Sequence, residues 1–121
     1  MINIYIRATC IPRKRLEGFQ MNLEISIVIP THNRCQMLLS VLAALARQTF
    51  DPQGYEVIVV ADGCQDDTVS AIKGLITPFH LILIEQPDSG PGVARNRGAE
   101  MASAPILMFL DDDVEPEPQL V

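Results

Sequence analysis

An α/β fold, built on a mainly parallel sheet with flanking helices in the Rossmann-like manner, is the architecture this sequence predicts. Three observations carry it. Short apolar runs, each the length of a buried strand, recur at 25–29, 57–60 and 106–110. Segments with helical spacing lie between such runs, the clearest holding Met37, Leu38, Val41, Leu42 and Leu45. A polar loop follows each run, Thr31-His32-Asn33-Arg34 after the first, Asp62 to Asp67 after the second and Asp111 to Asp113 after the last, as expected where βαβ crossovers bring successive loops to one edge of a sheet.

The elements follow in order. Residues 1–22 fit the rhythm poorly: Tyr5 could add to a strand, but Pro12 and the Arg13-Lys14-Arg15 triplet break it. This stretch reads as a variable leader without a part in ligand binding, and 23–121 as one domain. The first strand, Ile25 to Ile29, stops at Pro30. A helix follows, with Asn33 as expected N-cap and Gln36 in the capping-box place. After a turn over 48–54, Glu56 to Ala61 gives the second strand. The second helix is expected from Asp66 to Ile76, capped by Asp66 and Asp67, with Val69, Ile72 and Ile76 on one face. Thr77-Pro78 ends it, and Phe79 to Glu85 gives the third strand. Gly90-Pro91-Gly92 opens a third helix reaching Ala102, and Ile106 to Leu110 is the fourth strand. A strand order of 3-2-1-4 would open a crevice between the first and fourth strands.

Composition bounds the function. At 121 residues there is room for one domain, and 48% apolar content describes a globular chain. The net charge of −6 argues against a nucleic-acid surface and against docking on anionic lipid, the basic triplet excepted. Cys10, Cys35 and Cys64 have no metal-ligand spacing and read as reduced thiols of a cytoplasmic protein. No apolar stretch approaches the roughly 20 residues of a membrane span, and Met1 to Ile6 does not resemble a secretory signal.

Chemistry gathers in the loops after the strands. Asp111-Asp112-Asp113 follows the apolar run 106–110 directly. Three adjacent carboxylates repel one another unless a cation, hydrogen bonds or water compensates them. A divalent metal travelling with phosphates would do so, and a solvated acidic turn is the plainer reading. Thr31-His32-Asn33-Arg34 follows the first strand; the ring of His32 could stack on a base. Asp62-Gly63 follows the second and is by itself a common turn dipeptide, although a carboxylate there could accept the imide N–H of uracil. The Gly90-Pro91-Gly92 turn presents a helix N-terminus suited to an anion, to which Arg95 could add a charge-assisted bond. His80, at a strand start, reads as packing or surface.

Four blocks together resemble the family 2 glycosyltransferases of GT-A fold. They are Ile27 to Arg34, Val59 to Asp66, Gly90 to Gly98 and Phe109 to Asp113, in the family's order and spacing, and they span residues 25–113. The resemblance implies the nucleotide-sugar-binding half of such a domain, commonly for a UDP-sugar, with Mg²⁺ or Mn²⁺ bridging the diphosphate. By position, Pro30, Thr31 and His32 match the uridine-contacting loop, where Tyr often stands in place of His32; Arg34 lies beside them. Asp62 matches the acid that reads the base. Asp111 and Asp113 match the outer members of the D-x-D motif, toward ribose and metal, with Asp112 between them. Gly92 and Arg95 match positions near the donor. The sequence departs from the family at Ala61, where a second acid is usual, and at Cys64, where Ser is usual.

The implied reaction is an inverting displacement at the anomeric carbon, with a carboxylate base activating a saccharide, lipid or protein acceptor. In the family that base lies beyond the metal motif, so no catalytic residue is assigned here, and the chain is expected to be truncated after the D-x-D motif. A location at the cytosolic face of a membrane in a longer form, and a homo-oligomer, stay open. A non-catalytic nucleotide-binding module is the alternative. A phosphoacceptor signalling domain would need an acid pair after the first strand, where Thr31-His32-Asn33 stands.

Overall fold

Every apolar run forms a strand. The computed structural model describes residues 2–6, 23–114 and 116–120. In chain order the elements are β1 (Ile2–Ile6), β2 (Ile25–Thr31), α1 (Cys35–Leu45), β3 (Tyr55–Asp62), α2 (Thr68–Lys73), β4 (His80–Gln86), α3 (Pro91–Met101) and β5 (Ile106–Leu110). The sheet order is β1-β5-β2-β3-β4. Pairing is parallel between β2 and β3, β2 and β5, and β3 and β4, so these four strands adopt the expected 3-2-1-4 arrangement.

The fifth strand was only hinted at by Tyr5. β1 runs antiparallel along β5, with Ile2 opposite Leu110, Tyr5 opposite Leu107 and Ile6 opposite Ile106. Residues 2–6 therefore belong to the sheet. Pro12, the basic triplet and Cys10 lie outside the described residues, as does the rest of the segment read as a leader.

A parallel sheet covered on both faces needs apolar side chains at nearly every strand position, and β3 is buried at all of its positions. On one face Ile27, Ile29, Val57 and Val59 pack with Leu38, Val41, Leu42 and Leu45 of α1 and Ile72 of α2. On the other, Val28, Ile58 and Val60 meet Ala94 of α3 and Ala102 just beyond it. The small residues of α3 let it lie almost directly on the sheet. A Cβ at Gly98 would overlap Val28 and come within 3.2 Å of Val60 Cγ2.

Three local expectations are corrected. The N-cap of α1 is Arg34, not Asn33, and it makes no side-chain capping bond. Asn33 instead adopts φ 52°, a left-handed conformation that Asn tolerates better than most residues. Its Oδ1 accepts from the backbone N–H of Gln65 (2.7 Å) and Asp66 (3.2 Å). The vacated capping role is taken from another loop, since Cys35 N donates to Asp66 Oδ2 at 3.2 Å. Asp66 also accepts from the Thr68 N–H at 3.1 Å at the start of α2, whereas Asp67 makes no side-chain cap. Finally, α2 stops at Lys73 because Gly74 follows as its C-cap, and Ile76, expected on the apolar face, is 96% exposed.

Polar groups inside the strands hold the sheet edge opposite the aspartate turn. Glu56 is buried and its Oε1 accepts from Ser26 Oγ (3.2 Å) and Ser103 N (3.0 Å), while Ala104 N donates to Ser26 Oγ (3.0 Å). After the aspartates the chain crosses to the end of α1, where Thr49 N donates to Pro118 O at 2.8 Å.

Candidate functional site

The carboxyl ends of β2, β3 and β5 and the start of α3 enclose an open cleft of about 320 Å³. β2 and the loop after it supply Pro30, Thr31, His32 and Arg34; β3 supplies Asp62; α3 supplies Pro91 and Arg95; the turn after β5 supplies Asp111, Asp112 and Asp113. Of the residues read from the sequence as site candidates, only Gly92 is not in the lining. It is exposed, and Pro91 takes that part of the wall.

Asp62 is the most constrained of these side chains, at 4% exposure. Its Oδ1 accepts from Gln86 Nε2 (2.9 Å) and Ser89 N (2.7 Å), and its Oδ2 from Gly90 N (2.9 Å). Burial by itself pushes the carboxyl up, but those three hydrogen bonds, with His32 nearby, hold it below the usual carboxylate range. A carboxylate offers about four acceptor positions. Three are filled by the protein, which leaves one, on Oδ2, for a donor in the cleft.

His32 is held edge-on. Its Nδ1 lies 2.6 Å from the Asp62 carbonyl, so Nδ1 carries the proton, and Nε2 accepts from Asn33 Nδ2 at 3.4 Å. The ring is thereby fixed against the β3 loop. Cys64 fills the place of the expected Ser as a weak donor, its Sγ 3.6 Å from the Thr31 carbonyl. Burial pushes this thiol up, which keeps it protonated.

The three aspartates do three different things. Asp112 turns inward: it is 7% exposed, Thr31 Oγ1 donates to its Oδ2 at 2.8 Å, and Arg34 Nη1 donates to its Oδ1 at 3.2 Å. Asp113, with half its side chain exposed, lies 3.8 Å from the same guanidinium. Asp111 lies 3.6 Å from Arg95 Nη2. Two arginines thus offset the acidic turn.

Among the described residues no group of three or more His, Cys, Asp or Glu side chains converges on one cation position. The donor set nevertheless fits Mg²⁺ or Mn²⁺. These ions prefer oxygen ligands, and Mg²⁺ ordinarily takes one or two carboxylates and completes its shell with water and substrate phosphates. Asp111, about one-third exposed, and Asp113, half exposed, are the carboxylates that could serve in that way.

Sequence reasoning missed Pro91 as a wall residue, Asn33 as the tie between two loops, and Gln86 as the partner of Asp62. The register pairs Gln86 with Asp62 across β4 and β3. A polar residue at the strand end, level with a candidate acid, was the available signal.

This cleft, at the carboxyl edge of a parallel sheet where the strand order reverses, is the place where α/β folds bind nucleotides. The profile of Glycosyl transferase family 2 matches residues 26–121, and the chain belongs to that family. It is 43% identical over 99 residues to validoxylamine A glucosyltransferase of Streptomyces hygroscopicus subsp. limoneus, a match covering 80% of this chain and 22% of that protein. It is 38% identical over 97 residues to glycosyltransferase AglE of Haloferax volcanii, covering 78% of this chain and 32% of that protein. Among solved structures, S. aureus TarS 1-349 in complex with UDP-GlcNAc superposes with a TM-score of 0.75 at 28% identity, over 79% of this chain and 28% of that one. The GT-A fold is therefore the fold of this chain. The chain spans between a fifth and a third of the length of these two curated relatives. Among the described residues no helix is long and apolar enough to cross a membrane.

Proposed function

We propose that the cleft binds a nucleotide-sugar, a UDP-sugar in particular, together with Mn²⁺ or Mg²⁺, as the donor-binding part of an inverting glycosyltransferase. The observation that carries this reading is Asp62: a buried, ionised carboxylate on the cleft wall with one acceptor position left over. Uracil offers a single imide N–H between two carbonyls, so one acceptor suits it. The His32 ring, fixed beside Asp62 by its hydrogen bond to the Asp62 carbonyl, is the group assigned to stack on the base. TarS, solved with UDP-GlcNAc, supports the same donor class by its likeness in fold and sequence.

The remaining roles follow from position. Asp111 faces the ribose. Asp113 would hold the cation, with Asp111 beside it, and a divalent ion there would supply positive charge to the diphosphate. The start of α3 and Arg95 add positive potential on the same side. Asp112 orients Thr31 and Arg34.

Calorimetry with UDP, GDP and CDP, each with and without Mn²⁺, tests the reading. UDP is expected to bind preferentially and to depend on Mn²⁺. Asp113→Asn is expected to weaken metal-dependent UDP binding by at least tenfold, about 1.4 kcal/mol, and to leave the weaker metal-free binding alone. Equal Mn²⁺-dependent binding by the variant would reject Asp113 as the metal residue.

A further inference from the structure

We infer that Gln86 is a positioning residue for base recognition: its side-chain amide locks the Asp62 carboxylate in the orientation that reads the base, and so helps set the preference among nucleobases. The inference rests on the nucleotide reading proposed above and deepens it.

Gln86 is the last residue of β4 and stands level with Asp62 on the neighbouring strand. It is 93% buried by its 7% exposure, and it does not line the cleft. Its Nε2 donates to Asp62 Oδ1 at 2.9 Å, and its backbone carbonyl accepts from Gly63 N at 2.8 Å. The other end of the amide is costly. Gln86 Oε1 is buried with no hydrogen-bond partner among the described residues. A buried acceptor without a donor opposes folding, and a Met or Leu at this position would avoid it. What the amide supplies in return is a donor to Asp62.

That donor acts where little else can give way. Gly63 has φ +64°, and a Cβ there would meet Asp88 Cβ at 2.6 Å, so the loop after β3 is pressed against the loop after β4. Ser89 N and Gly90 N, in that second loop, bind the same carboxylate. Asp62 is thus oriented jointly by the end of β4 and by the backbone leading into α3. Without Gln86 the carboxylate keeps one backbone donor on each oxygen but loses the only side-chain donor among the described residues, the one that holds it from the β4 side. The single remaining acceptor position on Oδ2 is then aimed less strictly.

The test uses Gln86→Met and Gln86→Leu, which match the amide in size, in the full chain. Binding of UDP, GDP and CDP with Mn²⁺ is measured by calorimetry beside binding of Mn²⁺-pyrophosphate, with thermal melts as a check on folding. UDP affinity is expected to fall about tenfold and the preference among the three bases to flatten. Pyrophosphate binding is expected to stay at the wild-type value and the melting midpoint to move little, since losing the bond to Asp62 and removing the unpartnered Oε1 act in opposite directions. On acidification, UDP binding is expected to be lost at a higher pH in the variants, because one of the bonds keeping Asp62 ionised is gone. Unchanged UDP affinity and base preference in a folded variant would overturn the inference. So would parallel losses of UDP and pyrophosphate binding with a lowered midpoint, which describe a merely structural residue. Wild-type protein that bound no nucleotide would instead remove the donor-binding reading itself.

Discussion

At the scale of the residue, the site is governed by how carboxylates are kept ionised out of water. Asp62 shows the balance most clearly: burial opposes its charge, and three hydrogen bonds outweigh that opposition. Its folded value lies below the unfolded one, so its contribution to stability is complete above the unfolded carboxylate range, near about pH 3.9. That contribution is lost as pH falls from there through the folded value. Asp66, held down chiefly by its bond from the Thr68 hydroxyl, acts in the same direction. Urea midpoints measured at pH 7, 4 and 3 are therefore expected to decline in the wild type and to decline less in Asp62→Asn. At pH 7 the same variant is expected to be about 2–3 kcal/mol less stable, since an amide oxygen accepts more weakly than a carboxylate and its NH₂ faces donors. A flat difference between the two proteins across that pH range would show that Asp62 carries no such linkage.

At the scale of the element, β2, β3 and β5 were legible in the sequence because they are largely buried and so read as nearly continuous apolar runs. The aspartate turn, His32 and Asp62 were legible because a parallel sheet sends every post-strand loop to one edge. The misread features have a common physical origin in contacts distant along the chain. Asn33 looked like a helix cap because its local sequence fits one, yet its carbonyl oxygen serves the loop after β3, and Asp66 from that loop serves α1 instead. Asp112, a candidate site residue that lines the cleft, is also held by Thr31 and Arg34, contacts its local sequence does not show. β1 was obscured because it comes from a short segment separated from the rest by residues without periodicity. The contact of α3 with the sheet gives a test at this scale. Gly98→Ala would raise helix propensity by up to about 1 kcal/mol on an exposed surface. Here the added methyl meets Val28, and overpacking of this kind costs about 1–3 kcal/mol. A net loss of stability is expected in chemical denaturation, and a gain would mean that α3 can lift from the sheet without cost.

At the scale of the whole molecule, the sheet is asymmetric. Helical crossovers join β2 to β3, β3 to β4 and, through α3, β4 to β5, which lies beside β2 and is bordered on its far side by β1. An uncovered strand edge presents unpaired N–H and C=O groups and invites pairing with another chain. β5 is apolar along its length and ends directly in the aspartate turn, so removing β1 would expose an adhesive edge next to the site. The turn itself has separate support: Asp112 is anchored to Thr31 and Arg34 at the end of β2, and Pro118 is tied to Thr49 beyond α1. Stability and ligand binding should therefore respond differently to the loss of residues 1–22. The shortened chain is expected to melt at a lower temperature and to self-associate in light scattering as concentration rises. Its monomeric fraction is expected to bind Mn²⁺-UDP within about twofold of the full chain, under 0.5 kcal/mol. A monomeric, equally stable shortened chain would show that β1 does not protect the edge. A stable monomer with nucleotide affinity reduced tenfold would place the support of the aspartate turn in β1 rather than in the Asp112 clasp.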